Sequence, residues 1–109
     1  MRLADLSPNV RQIMKATTQH PVMMAPTEDW ELSFWCPRCG KPFACSILLG
    51  ESVREEEPRR WQATPMPGAT DWFERVTITP SINYTVAAHG PKKPACAFHG
   101  SIVDGFIVP

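Results

Sequence analysis

The chain has no surplus of charge: eleven lysines and arginines are cancelled by eleven aspartates and glutamates. Without a net field it cannot gather polyanions or coat an acidic membrane by long-range attraction, which argues against a dedicated nucleic-acid binder. No apolar run is long enough to span a bilayer, and residues 1–6 hold no apolar stretch of the signal-peptide kind, so a reducing cytoplasm is the expected compartment. Catalytic signatures are equally scarce. There is no Gly-rich phosphate loop and no G-x-S-x-G string. The His-x-Glu that zinc deaminases require is missing, because His20 is followed by Pro21-Val22. The aspartates and glutamates form no recognisable acid/base or nucleophile motif, and the expectation is a protein that is not an enzyme. Internal repeats and low-complexity tracts are absent.

What is abundant is proline, twelve in 109 residues. Prolines at that density disfavour long helices and favour short strands joined by stiff loops. The pattern predicts a mainly β, small α+β fold of zinc-ribbon-like antiparallel hairpins with a short N-terminal helix. Ser7-Pro8 has the form of a helix start, and Val10, Ile13, Met14 and Thr17 follow at helical spacing, which predicts a helix over 8–18. Residues 1–25 are expected as a helical extension and linker, and residues 26–109 as the β domain.

Alternation predicts strands over 30–34 and 43–49, with Phe43, Cys45, Ile47 and Leu49 on one face. It predicts another over 71–79, closed by Pro80, then an extended stretch over 81–86. Asp104-Gly105 between apolar runs predicts a tight hairpin. The run Glu55-Glu56-Glu57 reads as part of a solvated loop.

Cys36-Pro37-Arg38-Cys39 and Cys96-Ala97-Phe98-His99 are two ligand pairs at opposite ends of the domain. Three thiolates and one imidazole make a closed tetrahedral set, so Cys36, Cys39, Cys96 and His99 are expected to hold a structural Zn²⁺. A closed sphere leaves no position for water, which sets aside a zinc-dependent hydrolase. A redox reading of the Cys-Pro-x-Cys string fails because Gly40-Lys41-Pro42 would break the helix such a thiol needs. Cys45 shares a face with Phe43, Ile47 and Leu49 and is expected as a core thiol. His89 lies in a Gly-Pro-Lys-Lys loop without a partner at ligand spacing.

The contact surface expected from these elements combines Val10, Ile13 and Met14 on the helix with Arg38 and Lys41 on the knuckle and Lys92 and Lys93 in the later loop. A protein partner is the leading expectation. Arg38, Lys41, Lys92 and Lys93, with Trp35, Trp61 and Trp72 as stacking faces, leave a nucleic-acid-binding zinc ribbon as the alternative.

Phe34-Trp35-Cys36-Pro37-Arg38-Cys39-Gly40, Val76-Thr77-Ile78-Thr79-Pro80-Ser81-Ile82, His89-Gly90-Pro91, and Cys96-Ala97-Phe98-His99-Gly100 with residues 102–107 together resemble a family of small phage and prophage proteins. Its members have no defined activity and often carry the label ammonia monooxygenase. The resemblance implies phage origin, a zinc-knuckle β fold and the host cytoplasm. With it, the expected function is a non-enzymatic accessory protein that modulates a host or anti-phage defence component. A membrane copper oxygenase is incompatible with thiolate ligands and no spanning segment.

Overall fold

The computed structural model describes residues 1–41, 43–51, 53, 56, 59–86 and 96–109, with the side chains of Thr85, Val86, Cys96 and Ala97 outside that description. Seven strands form one sheet in chain order: β1 (Asn9–Ala16), β2 (Met24–Trp35), β3 (Ala44–Gly50), β4 (Arg60–Thr64), β5 (Thr77–Val86), β6 (Cys96–Val103) and β7 (Phe106–Val108). Every neighbouring pair is antiparallel except β3 and β4, which run parallel. The fold is mainly β, and the only helical turns among the described residues are of the 3-10 type, at Leu3–Leu6 and Trp72–Glu74.

The expected helix over 8–18 is corrected to strand β1. Val10 pairs with Leu32, Gln12 with Trp30 and Met14 with Pro26. An isolated helix of this length is marginal in water, while the long neighbouring strand β2 offers partners to the backbone groups of alternate β1 residues. Ser7 takes a left-handed conformation after the Leu3–Leu6 turn rather than capping a helix. The strand does not present Val10, Ile13 and Met14 as one stripe. Val10 and Ile13 are half-buried, and Met14 is exposed.

Strands β2 and β3 form the expected hairpin, with Phe34 opposite Cys45 and Leu32 opposite Ile47. Its turn is closed by the Cys36 N–H on the Phe43 carbonyl and the Gly40 N–H on the Cys36 carbonyl. Leu32, Phe34, Cys45, Ile47 and Leu49 all point inward and are at most 2% exposed. Burial of large apolar side chains such as these contributes about 1.5–3 kcal/mol each. Phe34 reaches Phe98 of β6 edge to face, with ring centroids 6.4 Å apart. Trp72 is fully enclosed, and its Nε1–H donates to the Pro65 carbonyl at 2.7 Å.

The strand predicted over 71–79 divides. Residues 72–74 turn to bury Trp72, and β5 starts at Thr77 and runs through Pro80. Proline is tolerated in a strand where the ladder is interrupted, and the pairing of β5 with β6 slips between Ile78 and Ile82. The Asp104-Gly105 hairpin is as expected, with both residues at positive φ (48° and 79°) between β6 and β7. Residues 1–6 belong to the core: Leu3 and Leu6 are buried, and the Leu3 N–H donates to the Gly105 carbonyl.

Candidate active site

Strands β5 and β6 pair with Ile82 opposite Gly100, Asn83 opposite His99 and Tyr84 opposite Phe98. Ile82 and Phe98 face the core, at 0% and 5% exposure. By strand alternation Asn83 and His99 project from the other face, and both are exposed. Ser81 stands on that face too, also exposed. Directly opposed side chains in an antiparallel pair have Cβ atoms about 4.5–5.5 Å apart, and diagonal neighbours lie about 7–8 Å apart. Asn83 is therefore the cross-strand neighbour of His99, and Ser81 lies two residues before Asn83 on β5, in the stretch where the β5–β6 pairing slips.

The presentation of Ser81 follows from local chain chemistry. Pro80 has no N–H to give to the ladder, and the register slip between Ile78 and Ile82 absorbs that loss. Irregularities of this kind re-aim a side chain and recur beside active sites. The Trp61 indole N–H donates to the Ser81 carbonyl at 3.4 Å and ties the slip to β4.

The other described serines lack this setting. Ser33 of β2 lies opposite Ser46 of β3, and no histidine occurs in β1 to β4. Ser7 follows the Leu3–Leu6 turn on the far side of the sheet order from β5. Ser101 shares the face of His99 on β6 but is half-buried between strands, opposite Val108 of β7. His20 is exposed in the connection between β1 and β2. His89, Lys92 and Lys93 lie outside the described residues, as does Ser52.

Cys36 is fully buried beside Cys45, whereas Cys39 is exposed and disulfide-bonded. Burial first, then the Cys36 thiol as a like charge and hydrogen-bond partner, pushes the Cys45 thiol up from 9.0 to about 12. Cys45 is thus the inert core thiol its register predicted. Among the described residues no group of three or more acidic, cysteine or histidine side chains converges as a metal site. The Cys96 side chain is not among those described, so the expected four-ligand set is not assembled on these residues. Arg38 is exposed at the rim of a cavity that also takes in His99. Lys41 lies over the Trp35 ring at 5.7 Å. Trp61 and Trp72 are core residues rather than stacking platforms.

A family model described as bacterial ubiquitination-like system serine protease (BubE) matches residues 9–109. The chain belongs to this family. No curated protein and no solved structure matches it. Membership in BubE corrects the resemblance to phage zinc-knuckle proteins, and with it the expectations of phage origin and a non-enzymatic accessory role. Among the described residues, the strand pair β5–β6 carries an exposed histidine, His99, and an exposed serine, Ser81, on adjacent strands. Nothing in BubE membership supports a nucleic-acid partner. No helix among the described residues is long and apolar enough to cross a membrane.

The sequence alone proposes no role for Ser81, which sits in no local nucleophile motif; Thr79-Pro80-Ser81-Ile82 stands out only as part of a resemblance. His99 reads as a metal ligand because Cys96 precedes it at ligand spacing. The available signal was a serine and a histidine on two strands that the hairpin logic already made antiparallel candidates.

Proposed function

We propose that this protein is a serine protease of a bacterial ubiquitination-like system, with Ser81 as nucleophile, His99 as general base and Asn83 as the group that orients the imidazole. The observation that carries the reading is the register of β5 and β6, which sets Asn83 opposite His99 with the exposed Ser81 two residues before it on the same strand. In this scheme one His99 nitrogen takes the Ser81 hydroxyl proton as Oγ attacks the scissile carbonyl. The tetrahedral adduct collapses, the C–N bond breaks, and His99 returns the proton to the leaving amine. Water, deprotonated by the same nitrogen, then hydrolyses the acyl-serine. A side-chain amide in place of a carboxylate as the orienting group has precedent in Cys-His-Asn proteases. The substrate is a protein of that system, consistent with partners being proteins and with the chain lacking a surplus of positive charge.

The test is labelling by a fluorophosphonate, which reacts with activated serines, followed by mass mapping. Label on Ser81, lost in Ser81→Ala and His99→Ala but kept in Ser101→Ala, supports the assignment. Loss of the base should lower the labelling rate about 10²–10⁴-fold. Label on Ser101 alone overturns the choice of nucleophile. Stoichiometric zinc bound through His99 overturns its role as base.

A further inference from the structure

Strands β4 and β5 pair antiparallel with Thr64 opposite Thr77, Ala63 opposite Ile78 and Gln62 opposite Thr79. Two residues beyond that last pair stand Arg60 on one strand and Ser81 on the other. The Trp61 indole N–H on the Ser81 carbonyl, at 3.4 Å, keeps the strands together past it. Trp61 and Ala63 are buried in the core. By alternation Arg60 therefore takes the outer face of the sheet, and Ser81 is exposed.

The Arg60 guanidinium is anchored at one end only. Its Nη2 meets an Asp29 carboxylate oxygen of β2 at 2.9 Å, with the two side chains 19% and 27% exposed, the most enclosed of the four ion pairs among the described residues. Asp29 is itself fixed, because its N–H donates to the Thr27 hydroxyl at 3.2 Å and that hydroxyl donates to the Ile13 carbonyl of β1 at 2.8 Å. A purely structural pair would set both arms of the guanidinium fork on one carboxylate. Here Nη2 alone holds Asp29, and the buried Nε–H has no hydrogen-bond partner. Buried donors are nearly always paired, and catalytic duty is one of the few reasons for an exception.

We propose that Arg60 is a catalytic residue that stabilises the oxyanion, with Asp29 as the residue that positions it. This inference rests on the serine-protease reading above. As the Ser81 Oγ bonds to the scissile carbonyl carbon, its proton passes to His99 and the carbonyl π pair moves onto oxygen as negative charge. The uncommitted side of the Arg60 guanidinium donates to that oxygen. When the adduct collapses, the pair returns to re-form C=O and the C–N bond breaks, so Arg60 ends the step as it began. A guanidinium keeps its charge throughout, and a setting screened from water makes its pull on the developing charge larger than in solvent. Strand β5 thus carries the nucleophile between a strand that supplies the base and one that supplies the oxyanion donor.

The experiment follows fluorophosphonate labelling of Ser81 in the full chain against reagent concentration, because the phosphonyl oxygen takes the place of the oxyanion. Arg60→Ala and Arg60→Lys are compared with the wild type, with melting temperature as the check on folding. The maximal labelling rate is expected to fall about 10²–10³-fold in R60A and at least about tenfold in R60K, at an unchanged half-saturating concentration. Millimolar guanidinium chloride, too dilute to unfold the chain, should restore part of the rate in R60A and leave the wild type as it is. A merely structural role gives no such rescue. Wild-type rates in either folded variant, or a loss in R60A that guanidinium does not relieve, overturn the assignment and leave the protease reading standing. Where R60A does not fold, the R60K rate decides alone. If Ser81 of the wild type resists the reagent, the protease reading falls and the role of Arg60 with it.

Discussion

Replacing Gly105 by alanine isolates how the β6–β7 hairpin is seated. Gly105 has φ +79°, and a Cβ there would lie 2.5 Å from the Glu74 carbonyl carbon and oxygen and 2.8 Å from the Phe73 oxygen. Those are backbone atoms of the 3-10 turn Trp72–Glu74, so no side chain can swing away to make room. The left-handed conformation costs alanine about 1 kcal/mol. Relief of the overlap shifts Gly105, whose N–H donates to the Val76 carbonyl and whose carbonyl accepts from Leu3, both at 2.8 Å. Weakening two such bonds costs about 1 kcal/mol each, for a total of roughly 3 kcal/mol. Gly40→Ala is the internal control, since Gly40 has φ +71° but nothing within 4 Å of its added Cβ. It should lose only the conformational part, about 1 kcal/mol. With a urea slope near 2 kcal/mol/M, equilibrium unfolding should show midpoints lowered by about 1.5 M for G105A and about 0.5 M for G40A. Equal shifts in the two variants would refute the seating of the hairpin against residues 73 and 74.

Three further outcomes are expected. Removal of residues 1–6 takes Leu3 (0% exposed) and Leu6 (8% exposed) out of the core, which should lower Tm by at least about 10 °C in calorimetry even though the family match begins at residue 9. Trp72→Phe deletes the indole N–H that binds the Pro65 carbonyl and should cost about 1–2 kcal/mol in urea unfolding by leaving that acceptor unpaired. Cys45 keeps its proton in the folded chain up to about pH 12, whereas an unfolded thiol loses it near 9.0. Its contribution to stability is therefore complete below the lower value and lost between the two. The urea midpoint should fall across that alkaline window in the wild type, and the fall should be shallower in Cys45→Ala.

Much of the sheet was legible because alternation is a local property. Phe43, Cys45, Ile47 and Leu49 revealed the inner face of β3, and Asp104-Gly105 revealed the closing hairpin, since positive φ at two successive residues needs little beyond those side chains. The terminal segment misled because Val10, Ile13 and Met14 fit a helical period, and nothing within residues 8–18 shows that β2 extends back to Met24 as their partner. Pro80 misled in a related way. Its missing N–H is tolerable only where the partner strand slips, and that slip belongs to the β5–β6 pair and not to β5 alone.

The sequence by itself determined a proline-rich, mainly β chain, the hairpin around the Cys36–Cys39 turn, and Cys45 as a core thiol, because each depends on neighbours a few residues away. Only the tertiary structure decided which side chains meet. It set Asn83 opposite His99 through a cross-strand register, with Ser81 two residues before Asn83 on the same strand. That is not encoded in any single stretch, because the distances that matter for chemistry run across the sheet and not along the chain.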